Sequence, residues 1–145
     1  MPRQGAGVAP QDPSFRPNIG VYSGTEDKHP IGQFKFNVST FRDPAGQVQF
    51  KQKDSNEAGL NGTVPEVRDW VAKDRRVPII VKECRLLAED LIAPQADGKA
   101  VSAWLSFSFV DYHGRWIAPA IAELVANHLS EAGFNVLVHH AGLKE

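Results

Sequence analysis

Polar and basic residues are concentrated where an apolar segment gives way to a helical pattern. Residues 103–110 read AWLSFSFV, residues 111–116 read DYHGRW, and an amphipathic pattern begins at 117. The first N–H groups of a helix lack partners and carry partial positive charge, so they attract anions. A guanidinium, an imidazole and a phenol add hydrogen-bond donors, and glycine permits close backbone approach. The junction therefore predicts an anion-binding site made by Tyr112, His113, Gly114, Arg115 and Trp116.

Two further histidines, His139 and His140, follow the apolar segment 134–138. The carboxyl ends of parallel strands meet at one edge of a sheet, so this pair is expected to face the same pocket. Asp111 does not suit an anion site unless it orients a histidine. The alternative is an ordinary loop in which Asp111 turns the chain and the histidines point into solvent.

Catalysis by this cluster is a weaker hypothesis than binding. His113 or His140 could act as acid and base near neutral pH in a hydrolase or a phosphoryl-handling enzyme, but no orienting partner is identifiable. A metal site built from Asp111 and the histidines lacks any recognised ligand spacing, so we expect neither a metal nor a cofactor. The sequence also lacks the G-x-x-x-x-G-K-[ST] phosphate-binding loop.

Hydrophobic periodicity predicts a single α/β domain. Strands are predicted at 18–24, 34–41, 101–110 and 134–138, and helices from about 63, over 77–91 and over 116–132. Thr63 and Glu66 have the spacing of a capping box, and Gly133 is a natural helix terminator. The segment 101–138 reads as a βαβ unit, which demands parallel strands. We expect a mostly parallel sheet of about four strands with helices packed on it, ending in that unit.

The remaining segments carry weaker signals. Residues 1–17 are rich in Pro, Gly and Gln without periodicity, so they are expected to form a disordered tail before a domain over 18–145. Residues 45–62 are expected to form a loop or flap. The single cysteine, Cys84, lies on the apolar face of a predicted helix and excludes an intramolecular disulfide.

Composition limits the classes of partner. The formal net charge is -1, which gives weak support to RNA binding because such binding depends on clustered cations. No apolar segment is long enough for a membrane span, and residues 1–17 do not form a secretion signal, so a cytoplasmic protein is expected. Trp104, Phe107 and Phe109 place much aromatic surface on one strand, which favours a symmetric homo-oligomer.

Several segments match the motifs of a known family: IGVYSG at 19–24 corresponds to F-G-F/Y-K-x-G, and VRDWV at 67–71 to V-R-D-Y-V. Over about 18–145 the chain thus resembles the C-terminal domain of the RNase adapter protein RapZ and its nucleotide-binding relatives. IAE at 121–123, Gly133, Asn135-Val136 and His140 follow the family's closing pattern without a gap. The family's anion-binding motif C-T-G-G-x-H-R-S falls on 111–118, where only Gly114 matches.

The resemblance implies a non-enzymatic adapter or regulatory domain. In that family the domain is expected to bind a phosphorylated amino sugar and small RNA, and to recruit an RNase. For this chain we expect a small anionic ligand or a protein partner, with RNA as a weaker alternative. No P-loop domain accompanies the similarity, so hydrolysis of ATP or GTP is not expected.

Overall fold

A computed structural model describes residues 3–5, 18–28, 32–41, 50, 61–92 and 104–143. Its strands form one parallel sheet in the order β1-β5-β2-β4-β3, with three helices packed on it. The strands are β1 (Arg3–Gly5), β2 (Ile19–Gly24), β3 (Phe34–Asn37), β4 (Leu105–Val110) and β5 (Val136–His140). The helices are α1 (Pro65–Ala72), α2 (Arg76–Leu91) and α3 (Ile117–Glu131). The α/β class and the parallel sheet predicted from the sequence are thus confirmed.

The strand β4 lies between β2 and β3 in the sheet, and every one of its residues is buried. Its odd-numbered residues face the helices, and its serines and Val110 face the other way, as the alternation of a strand requires. Phe107 and Phe109 have no exposed surface, because the helices cover them and the rings of Phe34 and Phe36 lie beside them on β3. The aromatic bulk that favoured an oligomer is therefore buried within the chain itself, apart from Trp104, which is 40% exposed.

Helix α3 forms the centre of the helical layer. It contacts β2, β4 and β5 on one side and α1 and α2 on the other, so most of its residues are buried. Small alanines at 118, 120, 122 and 126 let the neighbouring elements approach closely. Helix α2 buries only a narrow stripe, consisting of Val77, Cys84 and Ala88, which confirms the apolar periodicity seen in the sequence.

Gly32 and Gln33, just before β3, lie on the opposite face of the sheet. Gln33 exchanges two hydrogen bonds with Ser106: its main-chain N–H donates to Oγ at 3.0 Å, and its side-chain oxygen accepts from the Ser106 N–H at 2.8 Å. Strand β3 pairs with β4, and because the strands are parallel, the carboxyl ends of β2, β3 and β4 lie at one edge. The residues that follow these three strands are therefore neighbours in space.

One detail of the prediction is wrong. Thr63 does not cap α1: the first helical turn begins after Val64 without a side-chain cap, and the Thr63 hydroxyl instead donates to Asn61 Oδ1 at 2.6 Å. Within the segment expected to be a tail, Arg3–Gly5 pairs in parallel with β5. The remainder of 1–17, most of 45–62 and residues 101–103 lie outside the described residues.

Candidate functional site

The loop between β4 and α3 is organised by the Asp111 carboxylate. Its Oδ1 accepts hydrogen bonds from the main-chain N–H groups of His113, at 3.0 Å, and Gly114. Its Oδ2 accepts from the N–H of Ala118 in the first turn of α3, at 2.8 Å. The side chain is only 6% exposed, so these bonds are shielded from water. Asp111 did not suit a site for an external anion, and in the structure its own carboxylate occupies the helix N-terminus.

Few donors are left at the start of α3. Ala118 is bonded to Asp111, Pro119 has no N–H, and the N–H of Ala120 donates to the carbonyl of Trp116 at 3.3 Å. In most helices the first N–H groups all await an external partner. This helix end therefore has much less capacity for an external anion than the sequence predicts.

Gly114 approaches the chain's own backbone. Its φ is +65°, and a β-carbon at this position would lie 3.0 Å from the carbonyl carbon of Gly24 and 3.3 Å from Cα of Gly142. A β-carbon on Gly142 would lie 2.7 Å from the carbonyl oxygen of Gly114. Gly114 was expected to allow close approach of a ligand. Instead, Gly24, Gly114 and Gly142 pack against one another where β2, the junction and the end of β5 meet.

The other predicted site residues are dispersed around the junction. Tyr112 is 83% exposed, and His113 is exposed beside it. Trp116 is buried, and the Arg115 guanidinium lies over its ring at 4.6 Å from the centroid. The Arg115 carbonyl accepts a hydrogen bond from the N–H of Gly62 at 2.8 Å, which fixes the loop before α1 against this turn.

The two histidines after the apolar segment lie on opposite faces of the sheet. Strand β5 extends to His140, so strand alternation separates the neighbouring side chains of His139 and His140. In register, His139 pairs with Tyr22 on the face away from the helices, and His140 pairs with Ser23 on the face below α3. The structure therefore does not bring the two histidines into one pocket.

His140 belongs to a chain of polar contacts that ties β2 and β5 to the helices. Its Nδ1 lies 2.6 Å from Ser23 Oγ, and its Nε2 lies 2.7 Å from Glu123 Oε2 on α3. The other carboxylate oxygen of Glu123 lies 4.0 Å from a guanidinium nitrogen of Arg68 on α1. Ser23 has no exposed surface, so its hydroxyl cannot reach a substrate in this arrangement. The contacts connect elements of the fold.

The carboxyl edge of the sheet carries an open cleft of about 570 Å³. Its walls are the turn after β2 (residues 25–27), the end of β3 with the residues that follow it (37, 39 and 40) and the start of the junction (Asp111 and Tyr112). A smaller cavity of about 60 Å³ lies next to it, between Ser39 and the junction. Ligands of open parallel sheets bind at this edge, and small-molecule pockets have volumes of this order.

Carboxylate, amide and hydroxyl groups line the cleft. Glu26 accepts from Lys35 Nζ at 2.8 Å and from Asn37 Nδ2 at 3.2 Å, which holds the turn after β2 against β3. Asp27 is exposed. No lysine or arginine is among the described residues of the lining. The charges of the cleft therefore favour an uncharged or cationic ligand over an anionic one.

Sequence reasoning found one wall of this site and missed the other two. Tyr112 and Asp111 stand in the predicted junction, whereas Asn37 and Thr40 were placed inside the predicted strand 34–41, which in the structure ends at Asn37, and Thr25 was given no role. The available signal was the run of polar residues directly after each of two apolar strands. The sequence does not show that β3 pairs with β4, so these polar residues could not be assigned to one site.

The described residues contain no group of three metal-ligating side chains and no helix long and apolar enough to cross a membrane. The cluster of Asp111, His113, His139 and His140 considered from the sequence is therefore not assembled. No protein-family model matches the chain, and a search of curated proteins also finds no match.

Proposed function

We propose that the chain is a non-enzymatic binding domain of the adapter or regulatory type, and that its small ligand occupies the cleft at the carboxyl edge of the sheet. The observation that carries the proposal is the convergence of β2, β3 and β4 on a cleft of about 570 Å³ with a polar lining. Such a position suits a ligand, because the scaffold below is rigid and the loops above supply specificity.

The lining favours a hydroxyl-rich, uncharged ligand such as a sugar or polyol. Carboxylates and side-chain amides accept hydrogen bonds from ligand hydroxyls, and the hydroxyls of Thr25 and Ser39 can both donate and accept. The ring of Tyr112, largely exposed at the rim, offers an apolar face against which the C–H groups of a sugar ring can pack. A phosphorylated ligand, the expectation from the sequence, would meet the exposed carboxylate of Asp27, and the nearby ammonium group of Lys35 is already paired with Glu26.

The polar contacts below the cleft support the resemblance to the RapZ C-terminal domain. Arg68, Glu123 and His140 come from three separate segments that carry that resemblance, and they form one continuous set of contacts. A buried polar network must be kept complete, since removing one member leaves the others without partners. This supports a shared scaffold whose anion site has been replaced. We also propose a cytoplasmic protein, as the sequence predicts.

An enzymatic role has less support. His140 has both ring nitrogens within hydrogen-bond distance of Ser23 and Glu123, and it does not line the cleft. Of the two cavities at this edge, His113 lines the smaller one, together with Asp111 and Tyr112. The Asp111 oxygens are already bonded to main-chain N–H groups.

Calorimetric titration with matched pairs of neutral and phosphorylated monosaccharides tests the proposal. We expect millimolar or tighter binding of one or more neutral members and weaker binding of their phosphorylated counterparts. Tyr112→Ala should weaken binding about tenfold without loss of stability, because its side chain is 83% exposed. Lys28→Ala is the matched control in the same edge loops, since Lys28 does not line the cleft. Binding of the phosphorylated members alone, or equal weakening by both variants, would contradict the proposal.

A further inference from the structure

The turn after β3, which forms one wall of the cleft, is held from outside by Arg76 at the start of α2. One guanidinium nitrogen donates to the Thr40 carbonyl at 2.6 Å, and another donates to the Thr40 hydroxyl oxygen at 3.1 Å. The guanidinium also lies over the ring of Phe41, at 4.2 Å from its centroid. Arg76 does not itself line the cleft, so its effect on a ligand must pass through Thr40.

The Asp74 carboxylate fixes the guanidinium and compensates its charge. Its two oxygens accept from Nε of Arg76, at 3.0 Å, and from a terminal nitrogen, at 2.7 Å. A contact at two points sets the plane of a guanidinium as well as its position. The Asp74 side chain is 9% exposed, so this contact is partly shielded from water. The wall of the cleft therefore has an oriented donor behind it without a net positive charge, which agrees with an uncharged ligand.

The contact with Arg76 determines which hydrogen bond the Thr40 hydroxyl can offer. A guanidinium has only donors, so Arg76 occupies a lone pair of the hydroxyl oxygen and leaves the hydroxyl proton for another partner. No acceptor for that proton is found among the described residues. The charge of the guanidinium also polarises the O–H bond, which strengthens it as a donor. The Thr40 hydroxyl is thus prepared to donate to an oxygen atom in the cleft.

The two sides of the cleft offer opposite hydrogen-bonding groups. Thr40, after β3, offers a proton, whereas the exposed carboxylate of Asp27, after β2, has only acceptors. A molecule with several hydroxyl groups can accept a hydrogen bond on one side and donate one on the other. A phosphate group at neutral pH has mainly acceptors, so it satisfies Thr40 but is repelled by Asp27.

We propose that Arg76 is a positioning residue of the cleft, which orients the Thr40 hydroxyl so that its proton is donated to one hydroxyl oxygen of a sugar or polyol. The inference rests on the proposed function, because it assigns a specificity-determining contact to the same cleft. It also gives the connection between α1 and α2 a role in the site, since Asp74 lies in that connection and Arg76 directly follows it.

The test is calorimetric titration of the full chain with glucose, galactose and mannose, and with the monodeoxy derivatives of each sugar that binds. In the wild type, removal of the hydroxyl that Thr40 contacts should weaken binding about tenfold. Thr40→Val identifies that position, because it should reduce this one loss to about twofold or less and leave the losses at other positions unchanged. Thr40→Ser keeps a hydroxyl and should retain the full loss.

Arg76→Met keeps most of the aliphatic stem and removes the donors. It should reduce the loss at the same position from about tenfold to about threefold or less, because the Thr40 hydroxyl is no longer oriented. Arg85→Met is the matched control: Arg85 lies on the same helix, is paired with the carboxylate of Glu89 and is 46% exposed, against 45% for Arg76, but it has no contact with the cleft. Each loss is a ratio of two affinities of one variant, so a change in the folded fraction cancels.

A reduced loss in Thr40→Val and Arg76→Met, together with an unchanged loss in Arg85→Met, would support the inference. A tenfold loss that persists in Arg76→Met would overturn it and leave the proposed ligand cleft in place. The same conclusion follows if Thr40→Val changes the loss at no position. A wild type that binds none of the three sugars would overturn the inference together with the proposed function.

Discussion

The Asp111 carboxylate accepts a hydrogen bond from the N–H of Ala118 across the junction, at 2.8 Å, and so ends the buried strand β4 and starts helix α3 with one side chain. Its second oxygen binds the loop between the two elements. The polar junction was predicted from the sequence to bind a ligand, but its Asp111 side chain caps the start of α3 within the chain itself.

Replacing Asp111 should destabilise the fold. Asp111→Ala removes a charge-assisted acceptor from three main-chain N–H groups, two of them in buried contacts, so we expect a loss of about 2–3 kcal/mol in the free energy of unfolding. Urea denaturation measures it. Asp27→Ala, at an exposed carboxylate, should change the same quantity by less than about 0.5 kcal/mol. Equal effects of both variants would show that Asp111 is not a cap.

Removing the internal anion should create a site for an external one. In Asp111→Ala, the N–H groups of Gly114 and Ala118 lose their partner, so sulfate or phosphate should raise the melting temperature of the variant more than that of the wild type. Matching the ionic strength with chloride controls for screening. An equal rise in both proteins would indicate that the helix end already binds anions in the wild type.

The packed glycines should tolerate no side chain. Gly114→Ala combines a positive φ with a contact at 3.0 Å to the backbone of Gly24, whereas Gly133→Ala has a φ of +104° and open space around it. The left-handed conformation alone costs roughly 1–2 kcal/mol. Gly114→Ala should therefore be the more destabilising of the two by about 1 kcal/mol or more, from the added packing strain. Denaturation of both variants decides this, and a larger loss at Gly133 would contradict it.

The contact between Glu123 and His140 should be energetically coupled. The side chains are 11% and 12% exposed and their polar atoms are 2.7 Å apart, so each variant leaves the other group poorly solvated. A double-mutant cycle with Glu123→Gln and His140→Ala should give a coupling energy of about 1–2 kcal/mol. Additive effects would mean that the two groups contribute separately. The same cycle between Glu123 and the remote Lys73 serves as the control.

The thiol of Cys84 should be inert in the folded chain. Burial raises the pKa of Cys84 to about 12, so the thiol stays protonated well above neutral pH. A chromogenic disulfide reagent at pH 8 should react at the rate of unfolding and at full speed in denaturant. Because the unfolded thiol ionises at lower pH than the folded one, this group also makes stability fall as the pH rises through about 8.5. Rapid stoichiometric reaction of the native protein would contradict the buried position.

The sequence predicts the scaffold well because side-chain periodicity is a local property. The apolar run that ends at Val110 and the buried apolar face of α2 are both local patterns in the sequence, and the structure has a buried strand and an amphipathic helix at those places. The extent of β5 was predicted two residues short of His140, and that small error places His139 and His140 in one pocket instead of on opposite faces.

The site was harder to predict because its geometry is not local. Nothing in the order of residues says that the oxygens of Asp111 turn toward Ala118, or that Gly114 meets Gly142. The cleft joins segments separated by as many as 87 positions, from Thr25 to Tyr112, and depends on the order of strands in the sheet. The polarity of each segment can be seen in the sequence, but the proximity of the segments in the fold cannot.

The most direct test of the ligand cleft is a titration followed by amide chemical shifts, using one sugar and its phosphate ester at matched ionic strength. The proposal predicts that the neutral sugar shifts the amide signals of the cleft walls, such as Thr25, Asn37 and Tyr112, at millimolar concentration, and that the ester shifts them less. It also predicts little change at Ile117 and Ala118, where Asp111 already fills the helix end. Shifts confined to residues 113–118 and caused only by the phosphate ester would contradict it.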